Sequence, residues 1–187
     1  MRIISGKFKG KKLTSFKGQR IRPTSDRVRE AIFDILTIGW EGKDVLDFFA
    51  GTGGLGIETL SRGARRVLFV ENHPQSVVVL EKNISAVKLS GSCELANLSV
   101  GEGIAFIKRK RRKFDVAFLD PPYGKGLADS TLRLIAESGI IKGNGIVIAE
   151  HHYKETLLDH YQGLRKSDQR KYGSTGISFF IAEVLVH

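Results

Sequence analysis

Apolar residues follow two rhythms along this chain. Between Lys43 and Glu150, short apolar runs alternate with stretches whose hydrophobic positions recur every three or four residues. A short run bounded by turn residues predicts a buried strand, and the longer period predicts a helix with one face in the core. Strands are predicted at 44–49, 66–71, 92–96, 114–119 and 145–150, with helices at 53–62, 74–88, 98–109, 128–137 and 152–160. Pro74 falls in a first helical turn, where its missing N–H is tolerated. Such alternation implies a mostly parallel sheet with helices on both faces. Residues 163–171 and 176–186 read as two further strands around Gly173-Ser174-Thr175-Gly176, a terminal antiparallel hairpin. The expected fold is α/β and doubly wound, with seven strands.

The first forty residues differ. Met1 to Lys12 alternates loosely through Ile3, Ile4, Phe8 and Leu13, with Gly6 and Gly10 as turns, and predicts a small hairpin or extended arm. A polar loop at 14–21 leads to Arg22-Pro23-Thr24-Ser25-Asp26, a helix start that Thr24 or Ser25 can cap. The helix runs through Val28, Ile32, Ile35 and Leu36 to Gly39. The chain is therefore divided into an arm at 1–23 and a domain at 24–187.

Composition narrows the setting. The chain has 187 residues, 41% hydrophobic and 27% charged, as in soluble globular proteins. No apolar run approaches the roughly 18 residues of a membrane span, and the first residues lack a signal-peptide pattern. A single cysteine, Cys93, excludes an internal disulfide framework, so a cytoplasmic protein is expected, a monomer without extra assembly elements. The net charge is +10, of which residues 1–30 carry +8. Charge concentrated in this way implies a polyanionic partner, with nucleic acid favoured. The run Lys108 to Lys113 lies at the sheet edge opposite the ligand edge and reads as a solvated loop.

Three segments carry chemistry. After the strand Val45–Phe49, the glycines Gly51, Gly53 and Gly56 form Gly-x-Gly-x-x-Gly ahead of a helix, a nucleotide-type turn. Glu71 closes the second strand twenty residues after Gly51, where an acid grips a ribose hydroxyl pair. Asp120-Pro121-Pro122-Tyr123 closes the fourth strand; its prolines stiffen the turn and remove two donors, leaving an acceptor-rich pocket beside an aromatic ring. That chemistry suits a planar group bearing an NH2. In a sheet of order 3-2-1-4-5, the first and fourth strands are neighbours, so segments 69 positions apart face one crevice. Asn97 ends the third strand on the same rim.

The motifs Phe49-Ala50-Gly51-Thr52-Gly53-Gly54-Leu55-Gly56 and Asp120-Pro121-Pro122-Tyr123 resemble those of class I S-adenosylmethionine-dependent amino-methyltransferases, which have a Rossmann-like sheet. Arg2-Ile3-Ile4-Ser5-Gly6, Lys9-Gly10-Lys11-Lys12-Leu13 and the block Arg22 to Glu30 further resemble the RsmD-type 16S ribosomal RNA guanine-N2 methyltransferases. The likeness runs from the arm through the fourth strand. It implies methyl transfer from S-adenosylmethionine to a guanine amine in ribosomal RNA or the assembling small subunit. The cofactor would be held by Asp47, Phe49, Ala50, Gly51, Thr52, Gly53, Gly56, Glu71, Asn72, Asn97 and Leu98. Asp120, Pro121, Pro122 and Tyr123 would act on the base, and Arg2, Lys7, Lys9, Lys11, Lys12, Arg20, Arg22, Thr24 and Arg27 would contact RNA.

Other readings compete. Asp-Pro-Pro-Tyr loops also serve adenine-N6 methylation of DNA and methylation of protein glutamine amides. A nicotinamide-dependent dehydrogenase shares the glycine turn and Glu71, but leaves Asp120–Tyr123 and the basic arm without a role. A non-enzymatic RNA-binding module would not need the turn. Cys93 reads as a small buried apolar residue, not a nucleophile. His151 and His152 point to opposite sides of an extended segment, and no metal site is predicted.

Overall fold

The computed structural model describes residues 1–15, 26–88 and 90–184. Among the described residues five α-helices, α1 (Asp26–Ile35), α2 (Gly54–Ser61), α3 (Pro74–Val87), α4 (Val100–Arg109) and α5 (Leu127–Ser138), surround one sheet. Its strands are β1 (Asp44–Phe48), β2 (Arg66–Val70), β3 (Cys93–Ala96), β4 (Phe114–Leu119), β5 (Ile141–His152), β6 (His160–Tyr161), β7 (Leu164–Tyr172) and β8 (Thr175–Ala182). The order is β3-β2-β1-β4-β5-β8-β7-β6. The first five strands pair in parallel, and the last three join antiparallel. The Rossmann-like core and terminal hairpin are present, with the two-residue β6 as an eighth strand at the edge.

Alternation along each central strand divides the core into two layers. Val45, Val67, Phe69, Val116 and Phe118 face α1, α2 and α3, while Leu46, Phe48, Leu68, Val70, Ala117 and Leu119 face α4 and α5. Side chains that alternate faces along a strand require apolar residues at every position when both faces are covered. That explains the continuous runs. Polar residues stand near the strand starts, at Asp44, Arg66 and Asp115, and Asp47 of β1 is the one charged residue in the middle of these three strands.

Two predicted elements differ. The helix expected at 152–160 is absent. β5 continues through His152, and the next residues turn, with the Tyr153 amide donating to the Ser174 carbonyl and Glu155 N to the His152 carbonyl. His151 explains the extension: it is fully buried, with Nε2 2.9 Å from Ser178 Oγ on the paired strand, so sheet pairing holds the segment extended. The first helix ends at Ile35, not Gly39. The chain then turns to return Trp40 to Phe33 at a ring distance of 5.5 Å, a contact that a straight helix would forfeit.

The N-terminal arm is packed along α2. Arg2 and Lys12 form an antiparallel bridge, and Ile3 and Leu13 are buried. Glu58, itself buried, accepts from Ile4 N at 2.8 Å and Ser5 N at 2.9 Å; Ser61 Oγ accepts from Phe8 N at 2.9 Å. Thr14 N donates to Asn83 Oδ1 of α3 at 2.7 Å. Arg20, Arg22 and Thr24, together with the predicted Thr24/Ser25 cap, lie outside the described residues.

Candidate functional site

A cavity of about 1030 Å³ opens at the C-terminal ends of β1, β2, β4 and β5. Ligands of doubly wound sheets bind where the strand order reverses. Here that point lies between β1 and β4, whose register pairs Phe48 with Leu119, so Phe49 and Asp120 emerge side by side. Asp47, Phe49, Ala50, Gly51, Thr52, Glu71, Asn72, Leu98 and Asp120 to Tyr123 all line the cavity.

The glycine turn is fastened at both ends by carboxylates. Glu71 Oε2 accepts from Gly51 N at 2.8 Å, and its Oε1 accepts from Asn72 N at 2.8 Å and His73 N at 2.7 Å. Asp47 Oδ2, buried beneath the turn, accepts from Gly56 N at 2.9 Å. Burial lifts the Asp47 carboxyl to about 8; the Gly56 amide opposes the shift and the charge of Glu71 adds to it. Asp47 is therefore mostly protonated at neutral pH.

Gly53 and Gly56 act below the turn and do not line the cavity. Gly53 caps α2 in the left-handed region, φ +78°, and a Cβ there would stand 2.4 Å from Leu80 Cδ1. A Cβ on Gly56 would stand 2.3 Å from the Phe69 ring. Both glycines let α2 settle against the sheet. Phe49 enters the turn with φ +57°, a strained conformation for an aromatic residue that no sequence pattern announced. Asn97 is exposed and outside the lining, whereas its neighbour Leu98 lies within it.

Tyr123 is anchored from the far side of the cavity. Its hydroxyl donates to Glu150 Oε1 at 2.6 Å and lies 3.1 Å from Thr175 Oγ1. Burial, then the Glu150 charge, push the phenol upward, so it stays protonated. Its ring meets the edge of His152 at 6.0 Å, and His152 lies 4.9 Å from the exposed ring of Tyr153. Lys171 Nζ sits 3.9 Å from the centre of that last ring. Sequence reasoning missed Glu150 and Thr175; an acid closing a strand beside the reversal point was the available signal.

Other side chains stay apart from the cavity. Cys93 begins β3 at the opposite sheet edge, and burial pushes its thiol up to about 12. The basic run begins at the end of α4, and its Arg112 pairs with Glu94 at that same edge. Arg2, Lys7, Lys9, Lys11, Lys12 and Arg27 are exposed. Among the described residues no group of three or more His, Cys, Asp or Glu could hold a metal ion, and no helix is long and apolar enough to cross a membrane.

Comparison with known proteins places these features. Conserved hypothetical protein 95, a family description, matches residues 1–181. Ribosomal RNA small subunit methyltransferase D of Haemophilus influenzae is 36% identical over 160 residues, 84% of this chain and 82% of that protein. The Escherichia coli protein of the same name is 32% identical over 157 residues, covering 84% and 77%. The solved structure of the Escherichia coli protein yhhF superposes with a TM-score of 0.84 at 29% identity, covering 98% of each chain. With the arm, the glycine turn and the Asp-Pro-Pro-Tyr loop inside the matched span, this chain belongs to the RsmD family described as Conserved hypothetical protein 95.

Proposed function

We propose that the protein transfers a methyl group from S-adenosylmethionine to the exocyclic N2 of a guanine in 16S ribosomal RNA. The observation that carries this reading is the shared cavity: the glycine turn after β1 and Asp120-Pro121-Pro122-Tyr123 after β4 open into one space. One segment suits a nucleoside-bearing cofactor, and the other an amine.

The residues present fit the cofactor. Glu71 offers a carboxylate for ribose hydroxyls, Leu98 and Val100 supply apolar wall, and the turn at Gly51 exposes backbone to the cavity. The volume exceeds what one ligand of that size needs, leaving room for a base. When bound, S-adenosylmethionine supplies an electrophilic methyl on a sulfonium.

The chain's own work is positioning. A guanine amine is a poor nucleophile because its lone pair is delocalised into the ring. The Asp120 carboxylate and the Pro121 carbonyl accept from the NH2 and hold its nitrogen toward the cofactor side. Fixing two reactants in this way can supply roughly 7–11 kcal/mol in well-oriented systems. Tyr123 lends a stacking surface, so the base must be unpaired or extruded to enter. Residues 1–23 serve as the RNA-contacting arm: Arg2, Lys7, Lys9, Lys11 and Lys12 are exposed, and Arg27 of α1 adds a further exposed cation.

The test is direct. The protein is incubated with labelled S-adenosylmethionine and small-subunit RNA or particles from a strain lacking the enzyme, and the RNA is digested to nucleosides. Label on N2-methylguanosine is expected; label on any other nucleoside, or none, sinks the assignment. Asp120→Ala should abolish turnover while cofactor affinity stays within about tenfold, because its partner is the base and not the donor.

A further inference from the structure

Beyond Tyr123, a strip of rings leads out of the cavity. Tyr123 and His152 both line it, while Tyr153, the next residue, does not and is 37% exposed. Ring centroids step from Tyr123 to His152 at 6.0 Å and from His152 to Tyr153 at 4.9 Å. Neither His152 nor Tyr153 belongs to either layer of the core. A lone exposed ring is ordinary on a protein surface. This one differs because it continues a cavity and its backbone is fastened. Tyr153 N donates to the Ser174 carbonyl at 3.0 Å, and Glu155 N to the His152 carbonyl at 2.8 Å. Glu155 Oε1 in turn accepts from Gly124 N at 2.7 Å, which ties the Tyr153 turn to the Asp120–Tyr123 loop.

The charge around the ring says what it meets. Lys154 and Lys171 are exposed, and Lys171 Nζ stands 3.9 Å from the centre of the Tyr153 ring. The ion pairs of β7 join Lys166 to Asp159 and Arg170 to Asp168, and leave Lys171 out. Rings interleaved with cations suit single-stranded nucleic acid, whose bases stack while its phosphates pair. An exposed cation over a ring is worth about 0.5–1 kcal/mol, and a base stacked on a ring about 1–3 kcal/mol. A base therefore displaces the ammonium, which is left to meet the phosphate. The cofactor is not the occupant, because Tyr153 lies outside the cavity lining. An RNA base extruded into the cavity, by contrast, leaves its neighbours at the mouth.

We infer that Tyr153, backed by His152 and flanked by Lys154 and Lys171, binds the RNA nucleotide next to the target base, an assignment that rests on that base entering the cavity. The base of this neighbour stacks on Tyr153, and its phosphate takes the lysines. The contact is separate from the arm, which packs along α2. It selects for an unpaired neighbour and tolerates any base there, since every base has a face to stack.

Methylation of small-subunit particles from a strain lacking the enzyme tests the assignment. Tyr153→Ala should raise KM for the particles by about 5- to 150-fold, the worth of one base stack. Both kcat at saturating particles and affinity for S-adenosylhomocysteine should stay within about twofold, because Tyr153 touches neither the reacting atoms nor the cofactor. Tyr153→Phe keeps the ring and should preserve the wild-type KM, whereas Tyr153→Leu keeps only apolar bulk and should not. An unchanged KM in the alanine variant would overturn the proposal and leave the cavity reading standing. Equal preservation by Leu and Phe would do the same, pointing to an apolar contact with a ribosomal protein. The wild-type chain gives a second measurement that no folding defect can obscure: ultraviolet cross-linking to the particles, read by mass spectrometry. The peptide holding Tyr153 should carry a nucleotide adjoining the methylated guanine, and a nucleotide distant from it would overturn the proposal. Wild-type protein that labels no guanine would sink the reading of the cavity and the proposal with it.

Discussion

Asn83, buried on α3, holds the carbonyl of Thr52 at 2.8 Å through its Nδ2. The same nitrogen donates to the Thr14 carbonyl at 3.0 Å, while Oδ1 accepts from Thr14 N. One amide thus ties the glycine turn to the end of the basic arm. Asn83→Ala would leave the Thr52 carbonyl without this donor. The expected cost is about 1–3 kcal/mol, or about 2–4 °C of Tm for each kcal/mol in a chain of this size. Thermal melts with and without S-adenosylhomocysteine should also show a smaller ligand-induced rise, since Thr52 lines the cavity. An unchanged melt would remove Asn83 from this role.

Tyr123 separates ring from hydroxyl. In Tyr123→Phe the stacking face persists, but the bond to Glu150 and the approach to Thr175 vanish. A loop released by about 1 Å can lose about a hundredfold in rate. A fall in kcat of about 10- to 100-fold is expected, with cofactor affinity within about twofold. Tyr123→Ala should lose RNA affinity as well, by the roughly 1–3 kcal/mol of a base stack. Equal effects from both variants would mean that only the hydroxyl matters.

Asp47 makes stability depend on pH. Its folded carboxyl titrates near 8 against an ordinary value of 3.8, so the native state holds one more proton than the unfolded chain between those values. Its contribution is fully present below about pH 4, declines as pH rises toward 8, and is lost above that. The slope attributable to one proton is at most about 1.4 kcal/mol per pH unit. Asp47→Asn keeps an acceptor for Gly56 N but cannot ionise. Denaturant unfolding between pH 5 and 8 should therefore be flatter in the variant. Parallel curves would place the titration elsewhere.

The arm should act through charge. Reversing Lys9, Lys11 and Lys12 to Glu leaves the hydrogen bonds of Ile4, Ser5 and Phe8 in place, since these use backbone amides. RNA affinity is expected to fall and its dependence on salt to flatten, by a slope of roughly 0.7 for each phosphate that is no longer neutralised. Methylation of saturating RNA should be affected much less. An unchanged slope would make the arm a structural cover for α2 alone.

The alternating parallel core is readable because strands covered on both faces must be apolar throughout, and β1, β2 and β4 nearly are. The glycine turn and Asp120–Tyr123 are readable because each has a composition that local structure rarely demands. Asp47 reads in sequence as a cofactor acid and does line the cavity, but its bond to Gly56 N, which ties the buried strand to the helix start, had no signal in the sequence. Arg29 reads as one charge among several at a helix start. It is buried because the arm crosses it and takes its Nη2 through Arg2, a tertiary contact with no periodic trace. The segment after Glu150 misleads for the same reason: pairing with β8 decides its conformation, and helical spacing of Leu157 and its neighbours does not.

Cys93 has a practical consequence. It sits at the sheet edge remote from the cavity, and its thiol, pushed up to about 12, is almost wholly protonated at neutral pH. Maleimide chemistry depends on the thiolate, so the native chain is close to silent toward such reagents. A cysteine introduced at exposed Lys9 would be the fast-reacting site, and a single dye there would report the docking of the arm without first removing the natural thiol.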